Sequence, residues 1–122
     1  MATKILIIED QSMFQNVYQS VLEHENWEYR SAFDGEEGIR IAKHYQPDLI
    51  LLDLMLPKMN GLQFLQAFDA KSHPETKIIV LSNASTPEGV KVAKRLGASK
   101  YLIKATYFTP KQLLEAIREV LA

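Results

Sequence analysis

Short apolar runs alternate with helix-patterned stretches along the whole chain, and that alternation constrains the fold more than any other feature. The sharpest run is Leu49-Ile50-Leu51-Leu52, closed by Asp53. Four consecutive apolar residues read as a strand buried on both faces, as in a parallel sheet. Ile5 to Ile8 and Ile78 to Leu81 repeat the pattern, Tyr101 to Ile103 make a further strand, and Trp27 to Ala32 mixes aromatic and polar residues as a less buried strand does. Between the strands, Phe14, Val17, Tyr18, Val21 and Leu22 recur at helical spacing. Asp34 reads as the N-cap of a second helix, with Glu36 and Glu37 in its first turn. A third helix carries Leu62, Phe64, Leu65 and Phe68, after a loop punctuated by Pro57 and Gly61. Pro87 and Pro110 open two more, and Gly97 reads as the residue just past the fourth. The order βαβαβαβαβα, without repeat or linker, predicts one α/β domain over residues 1–122, a parallel sheet with helices on both sides.

Composition removes several function classes. The chain has no cysteine, which excludes disulfides, thiolate metal sites and cysteine nucleophiles. Its 14 basic and 15 acidic residues leave a net charge of −1, so no electrostatic footprint for nucleic acid is present. The first ten residues hold only four apolar residues in a row before Glu9 and Asp10, too few for a signal peptide or a membrane span. A cytoplasmic location without membrane contact is the expectation.

The residues closing the apolar strands are Glu9-Asp10, Asp53, Ser82 and Lys104. A parallel sheet brings all of them to one edge, where open α/β sheets collect ligands. Taken singly, each has an ordinary explanation as a strand end, a helix cap or an ion-pair partner. Their recurrence at successive strand ends points to one site. Three carboxylates crowded there repel one another, each pair about 4 Å apart costing roughly 4 kcal/mol at an effective dielectric near 20. The expectation is that a cation holds them ionised. Oxygen ligands without thiol or clustered histidine select a hard ion such as Mg²⁺. An ammonium (Lys104), a hydroxyl (Ser82) and a metal around Asp53 are the parts for phosphoryl transfer with Asp53 as nucleophile.

At this point the sequence resembles the receiver domain of two-component response regulators over essentially its whole length. The matching pieces are Ile8-Glu9-Asp10, Asp53-Leu54-Met55-Leu56-Pro57-Lys58-Met59-Asn60-Gly61, Leu81-Ser82 and Gly97 to Lys104. The resemblance implies a doubly wound, flavodoxin-like three-layer sandwich with five helices and strand order 2-1-3-4-5. It implies a signalling protein that catalyses only its own aspartyl phosphorylation and dephosphorylation. Asp53 would accept a phosphoryl group from a histidine kinase or a histidine phosphotransfer domain. Asp10 and Asp53, Glu9 largely through water, and the Met55 main-chain carbonyl would hold Mg²⁺. Ser82 and Lys104 would bind the phosphoryl oxygens, and Tyr101 would be the aromatic switch that follows Ser82. The surface of helix 4, strand 5 and helix 5 would then engage a protein partner or a second copy. Its charges are Lys91, Lys94, Arg95, Lys111, Glu115, Arg118 and Glu119.

Departures from the family pattern carry expectations of their own. Ala105 follows Lys104 where proline is usual, so the bond is expected trans, or cis against roughly 2.5–4 kcal/mol. Asn83 stands where a very small residue is usual, its amide either narrowing access to Asp53 or reaching a phosphate oxygen. Met55 and Ala84 cannot orient a hydrolytic water, which predicts a phospho-Asp53 lasting minutes or longer. His24, His44 and His73 show no metal spacing. The last helix ends at Ala122, fitting either a free-standing receiver or one excised from a longer regulator. The rival reading is a receiver-like interaction module that works without phosphorylation. An aspartyl phosphatase is disfavoured by Met55, which stands where the second acid of an Asp-x-Asp pattern belongs. A flavin site is disfavoured by Glu9-Asp10, which would repel the cofactor phosphate.

Overall fold

In the computed structural model, which describes residues 2–83, 86–104 and 109–122, the elements follow the expected alternation. They are β1 (Lys4–Ile8), α1 (Ser12–His24), β2 (Glu28–Ala32), α2 (Gly35–Tyr45), β3 (Leu49–Asp53), α3 (Gly61–Phe68), β4 (Lys77–Ser82), α4 (Pro87–Arg95), β5 (Lys100–Ile103) and α5 (Pro110–Leu121). A single 3₁₀ turn, Ala70–Ser72, follows α3. All strands are parallel, in the order β2-β1-β3-β4-β5.

Each central strand divides its side chains between two cores, because successive residues point to opposite faces. Leu6, Ile8, Ile50, Leu52, Ile78 and Val80 pack under α2, α3 and α4, against Ala42, Phe64, Leu65 and Ala93. Ile5, Ile7, Leu49, Leu51, Ile79 and Leu81 pack under α1 and α5, against Tyr18, Leu22, Leu113 and Ile117. This is the three-layer sandwich. Every residue of β3 is buried, so the strand carrying Asp53 lies at the centre of both cores. Each fully buried leucine or isoleucine there contributes on the order of 1.5–3 kcal/mol.

Local chemistry fixes where the helices start. Asp34 accepts from the Glu37 N–H at 2.8 Å, and Pro87 takes the first turn of α4 behind the Thr86 cap. Asn60 with Gln63 and Thr109 with Gln112 form reciprocal capping boxes at α3 and α5. Gly97 follows α4 with φ 116°, the left-handed conformation that glycine tolerates.

One expectation needs correction. Trp27 lies outside β2, which begins at Glu28. The run Tyr101–Ile103 forms the fifth strand at the edge that the order 2-1-3-4-5 gives it; β5 is half-buried and Ile103 is 39% exposed. It is an edge strand with one neighbour, β4, so its apolar residues meet fewer partners than those of β1, β3 and β4. Among the described residues, no helix is long and apolar enough to cross a membrane.

Candidate functional site

Strand register does the assembling. Ile8 pairs with Leu52, Asp53 with Leu81, and Ser82 with Ile103. The ends of β1, β3, β4 and β5 therefore bring Glu9, Asp53, Ser82 and Lys104 to one edge of the sheet, although 95 residues separate Glu9 from Lys104.

Carboxylate oxygens of Glu9, Asp10 and Asp53 lie within 4.8 Å of one another, with Glu9 and Asp53 buried and Asp10 exposed. The Lys104 ammonium is buried with them, its side chain only 1% exposed. It donates to Glu9 Oε1, and to Asp53 Oδ2 at 3.2 Å. The remaining oxygens take main-chain donors: Gln11 N–H donates to Glu9 Oε2 at 3.0 Å, and Met55 N–H to Asp53 Oδ1 at 3.0 Å. Each oxygen of the two buried carboxylates thus has a donor, as buried charge requires.

The Lys104 contacts correct part of the charge argument. Sequence reasoning had the acids waiting for an external cation and kept Lys104 for phosphoryl oxygens. Lys104 is itself the cation between Glu9 and Asp53. Burial still drives the Glu9 carboxyl above the usual carboxylate range, against the pull of the Lys104 and Gln11 hydrogen bonds, and Asp53 pushes the same way as burial. The Tyr18 hydroxyl is raised as well, mainly by burial and then by the charges of Glu9 and Asp53.

The donor set suits a small hard ion. It offers carboxylate oxygens only, with no thiolate or imidazole in the cluster, and exposed Asp10 leaves a path for water that such an ion retains. Beside the acids, a cavity of about 560 Å³ is lined by Asp10, Met55, Asn60, Ser82, Thr86 and Tyr101. Ser82 is buried and Tyr101 half-buried, while the Met55 side chain is 70% exposed and Asn83 is exposed. Ala84 and the Lys104–Ala105 bond lie outside the described residues. His73 stacks on Phe68 at 4.5 Å, and no histidine joins the acidic cluster among the described residues.

Sequence reasoning missed four residues of α1. Gln15 is buried and its amide donates to the Glu9 and Ala32 carbonyls, both at 3.0 Å, tying the ends of β1 and β2 together. Gln19 donates to Gln15 Oε1 at 3.2 Å and to Ser31 Oγ at 2.9 Å. Phe14 and Tyr18 were read as packing alone, yet Phe14 lies against the Lys104 ammonium and Tyr18 feels the charges of Glu9 and Asp53. The signal for Gln15 was its spacing, since it shares the stripe 15, 18, 22 with the buried Tyr18 and Leu22.

A family model described as the response regulator receiver domain matches residues 5–118. The chain belongs to that family. This receiver is 36% identical over 119 residues to the response regulator ArlR of Staphylococcus saprophyticus, covering 98% of the chain and 52% of ArlR. It spans about half the length of the curated relatives it matches. A CheY-like receiver domain from Methanospirillum hungatei superposes with a TM-score of 0.91 at 29% identity, over 99% of this chain and 94% of that one. The chemotaxis protein CheY4 of Vibrio cholerae gives 0.90 at 29% identity, over 99% and 100%.

The receiver's α4, β5 and α5 carry the mixed charges noted in the sequence. Lys100 pairs with Glu119 at 2.8 Å within that surface, while Arg118 reaches across to Glu25 at the end of α1, at 2.6 Å.

Proposed function

We propose that this receiver takes a phosphoryl group onto Asp53 from a phosphohistidine, on a histidine kinase or a histidine phosphotransfer domain. One observation carries the reading: Asp53 is buried at the end of the central strand with an ammonium on one oxygen, a main-chain N–H on the other and two acids beside it. An Asp53 oxygen attacks phosphorus, the new P–O bond forms as the P–N bond breaks, and the imidazole nitrogen keeps the electron pair. Lys104 then moves from Asp53 toward a phosphoryl oxygen, and the Ser82 hydroxyl donates to another. Asp10 and Asp53, Glu9 largely through water, and the Met55 carbonyl would hold Mg²⁺, which would supply charge neutralisation on the transferring oxygens. The added charge and acceptors favour the arrangement in which Ser82 and Tyr101 turn toward Asp53, changing the α4–β5–α5 surface offered to a partner or a second copy. Nothing in this scheme uses nucleic acid or a membrane.

Incubating the full chain with Mg²⁺ and acetyl phosphate tests this. The expected result is one phosphoryl mass on the intact protein, absent in Asp53→Asn and stable for minutes or longer. A half-life of seconds would contradict the lifetime expected from Met55. No mass gain, with no response to a beryllofluoride mimic, would favour the phosphorylation-independent module. That rival has one observation behind it, namely that Lys104 already compensates Glu9 and Asp53 without any added group.

A further inference from the structure

Among the described residues the Lys104 ammonium meets three groups, of which the carboxylates of Glu9 and Asp53 are two. The third is aromatic. The ring centroid of Phe14 lies 4.1 Å from Lys104 Nζ, well within cation–π distance. Two of the three ammonium N–H bonds point to carboxylates, and the ring covers a side on which water would otherwise solvate the charge. The ring is itself held by the helix, since Phe14 packs on Tyr18 one turn later with centroids 6.0 Å apart, and Tyr18 is 1% exposed.

We infer that Phe14 is a positioning residue for Lys104, its ring face keeping the ammonium over Glu9 and Asp53 and letting it pass to a phosphoryl oxygen. This rests on the phosphoryl-transfer reading above. The physical case is one of charge and direction. Three acids surround one ammonium. An acidic residue at position 14 would add a further negative group, whereas an aromatic face attracts a cation without adding formal charge. A hydrogen bond weakens steeply when tilted, but the attraction of a ring face tolerates sliding. The ammonium can therefore leave Asp53 Oδ2 for a new acceptor without losing its third contact. An aliphatic side chain would exclude water equally well and attract nothing, so the prediction turns on the ring rather than on packing.

The test uses the full chain with Phe14→Leu, Phe14→Met and Phe14→Tyr. In the untreated protein, the ε-methylene protons of Lys104 are expected upfield of the ordinary lysine range, displaced by the ring current, and back within it in the Leu and Met variants. With acetyl phosphate and saturating Mg²⁺, the P–O bond to acetate breaks, acetate leaves with the electron pair, and Asp53 gains phosphorus. That step is expected to slow about tenfold in Phe14→Leu and Phe14→Met, with Phe14→Tyr staying within about twofold of wild type. A Leu or Met variant that reacts at the wild-type rate overturns the role of the ring. So does an unshifted Lys104 methylene in the wild type, which decides the matter even if both ringless variants fail to fold. A wild-type chain that shows the ring-current shift yet never gains a phosphoryl group overturns the underlying reading instead.

Discussion

The two ends of the sheet handle polar groups in opposite ways. At the end where the strands begin, each hydrogen bond has a main-chain partner and ties neighbouring strand starts together, and the carboxylate that takes part, Asp48, is exposed. Thr76 Oγ1 donates to the Pro47 carbonyl at 2.7 Å, Lys4 N–H to Asp48 Oδ2 at 2.8 Å, and Lys77 N–H to the Asp48 carbonyl at 2.9 Å. At the end where the strands finish, two carboxylates and an ammonium are buried together, with the ammonium donating to both. The first arrangement is stable on its own terms. The second sets three acids around one ammonium, an arrangement that suits the cation and phosphoryl group proposed for it.

The largest expected effect follows from removing the one buried cation among the described residues. Lys104→Met leaves the buried Glu9 and Asp53 carboxyls without their ammonium and should cost about 3–5 kcal/mol in urea unfolding at neutral pH without divalent ions. Adding Glu9→Gln removes one of the two acids left without that partner, so the double variant should lose clearly less. An equal loss in both would break the contrast, showing that Lys104 acts at this end by packing alone. Gln15→Leu comes next. It leaves the Glu9 and Ala32 carbonyls without their side-chain donor and should cost about 2 kcal/mol. Because Gln15 fixes the main chain of Glu9, this variant should also take up phosphate from acetyl phosphate more slowly. Thr76→Val is the matched change at the other end, with an expected cost of about 1 kcal/mol and an unaltered phosphorylation rate. A rate that falls with Thr76→Val would show that the two ends are not separable.

How far each end was legible in the sequence follows the same division. Glu9, Asp53, Ser82 and Lys104 were readable because each closes an apolar run, and parallel strands must deliver their ends to one edge. What they do to one another was not readable. Spacing says that Lys104 arrives at the edge, but only register and side-chain reach place its ammonium between Glu9 and Asp53 rather than in solvent. Gln15 was hidden for a different reason. Its spacing puts it on the stripe with Tyr18 and Leu22, but only the fold shows that the carbonyls of two strand ends take its amide as donor. The exposure of Ile103 follows from the order 2-1-3-4-5 that the resemblance implies, which puts β5 at an edge although its residues are as apolar as those of an inner strand.

The smallest expected effect comes from a carboxylate near the same functional end that is not buried with the others. Asp34 caps α2 through the Glu37 N–H, and its Oδ2 lies 3.6 Å from Lys58 in the loop after β3. The Glu37 N–H first, and Lys58 after it, hold its carboxyl below the usual carboxylate range. An acid with a depressed folded pKa binds its proton more readily in the unfolded chain. Its contribution is therefore present above the unfolded value, about 4, and is lost as pH falls through the folded value. Asp34→Asn keeps an acceptor for the cap and removes the charge. Near neutrality the wild type should melt slightly higher than Asp34→Asn, and below about pH 4 its melting temperature should fall more steeply, so that the two converge in acid. Added salt should shrink the difference, because this pair is open to solvent and screened, unlike Lys104 with Glu9 and Asp53. Parallel melting curves across the acid range would mean that the cap's acceptor geometry, and not its charge, is what α2 uses at this end of the sheet.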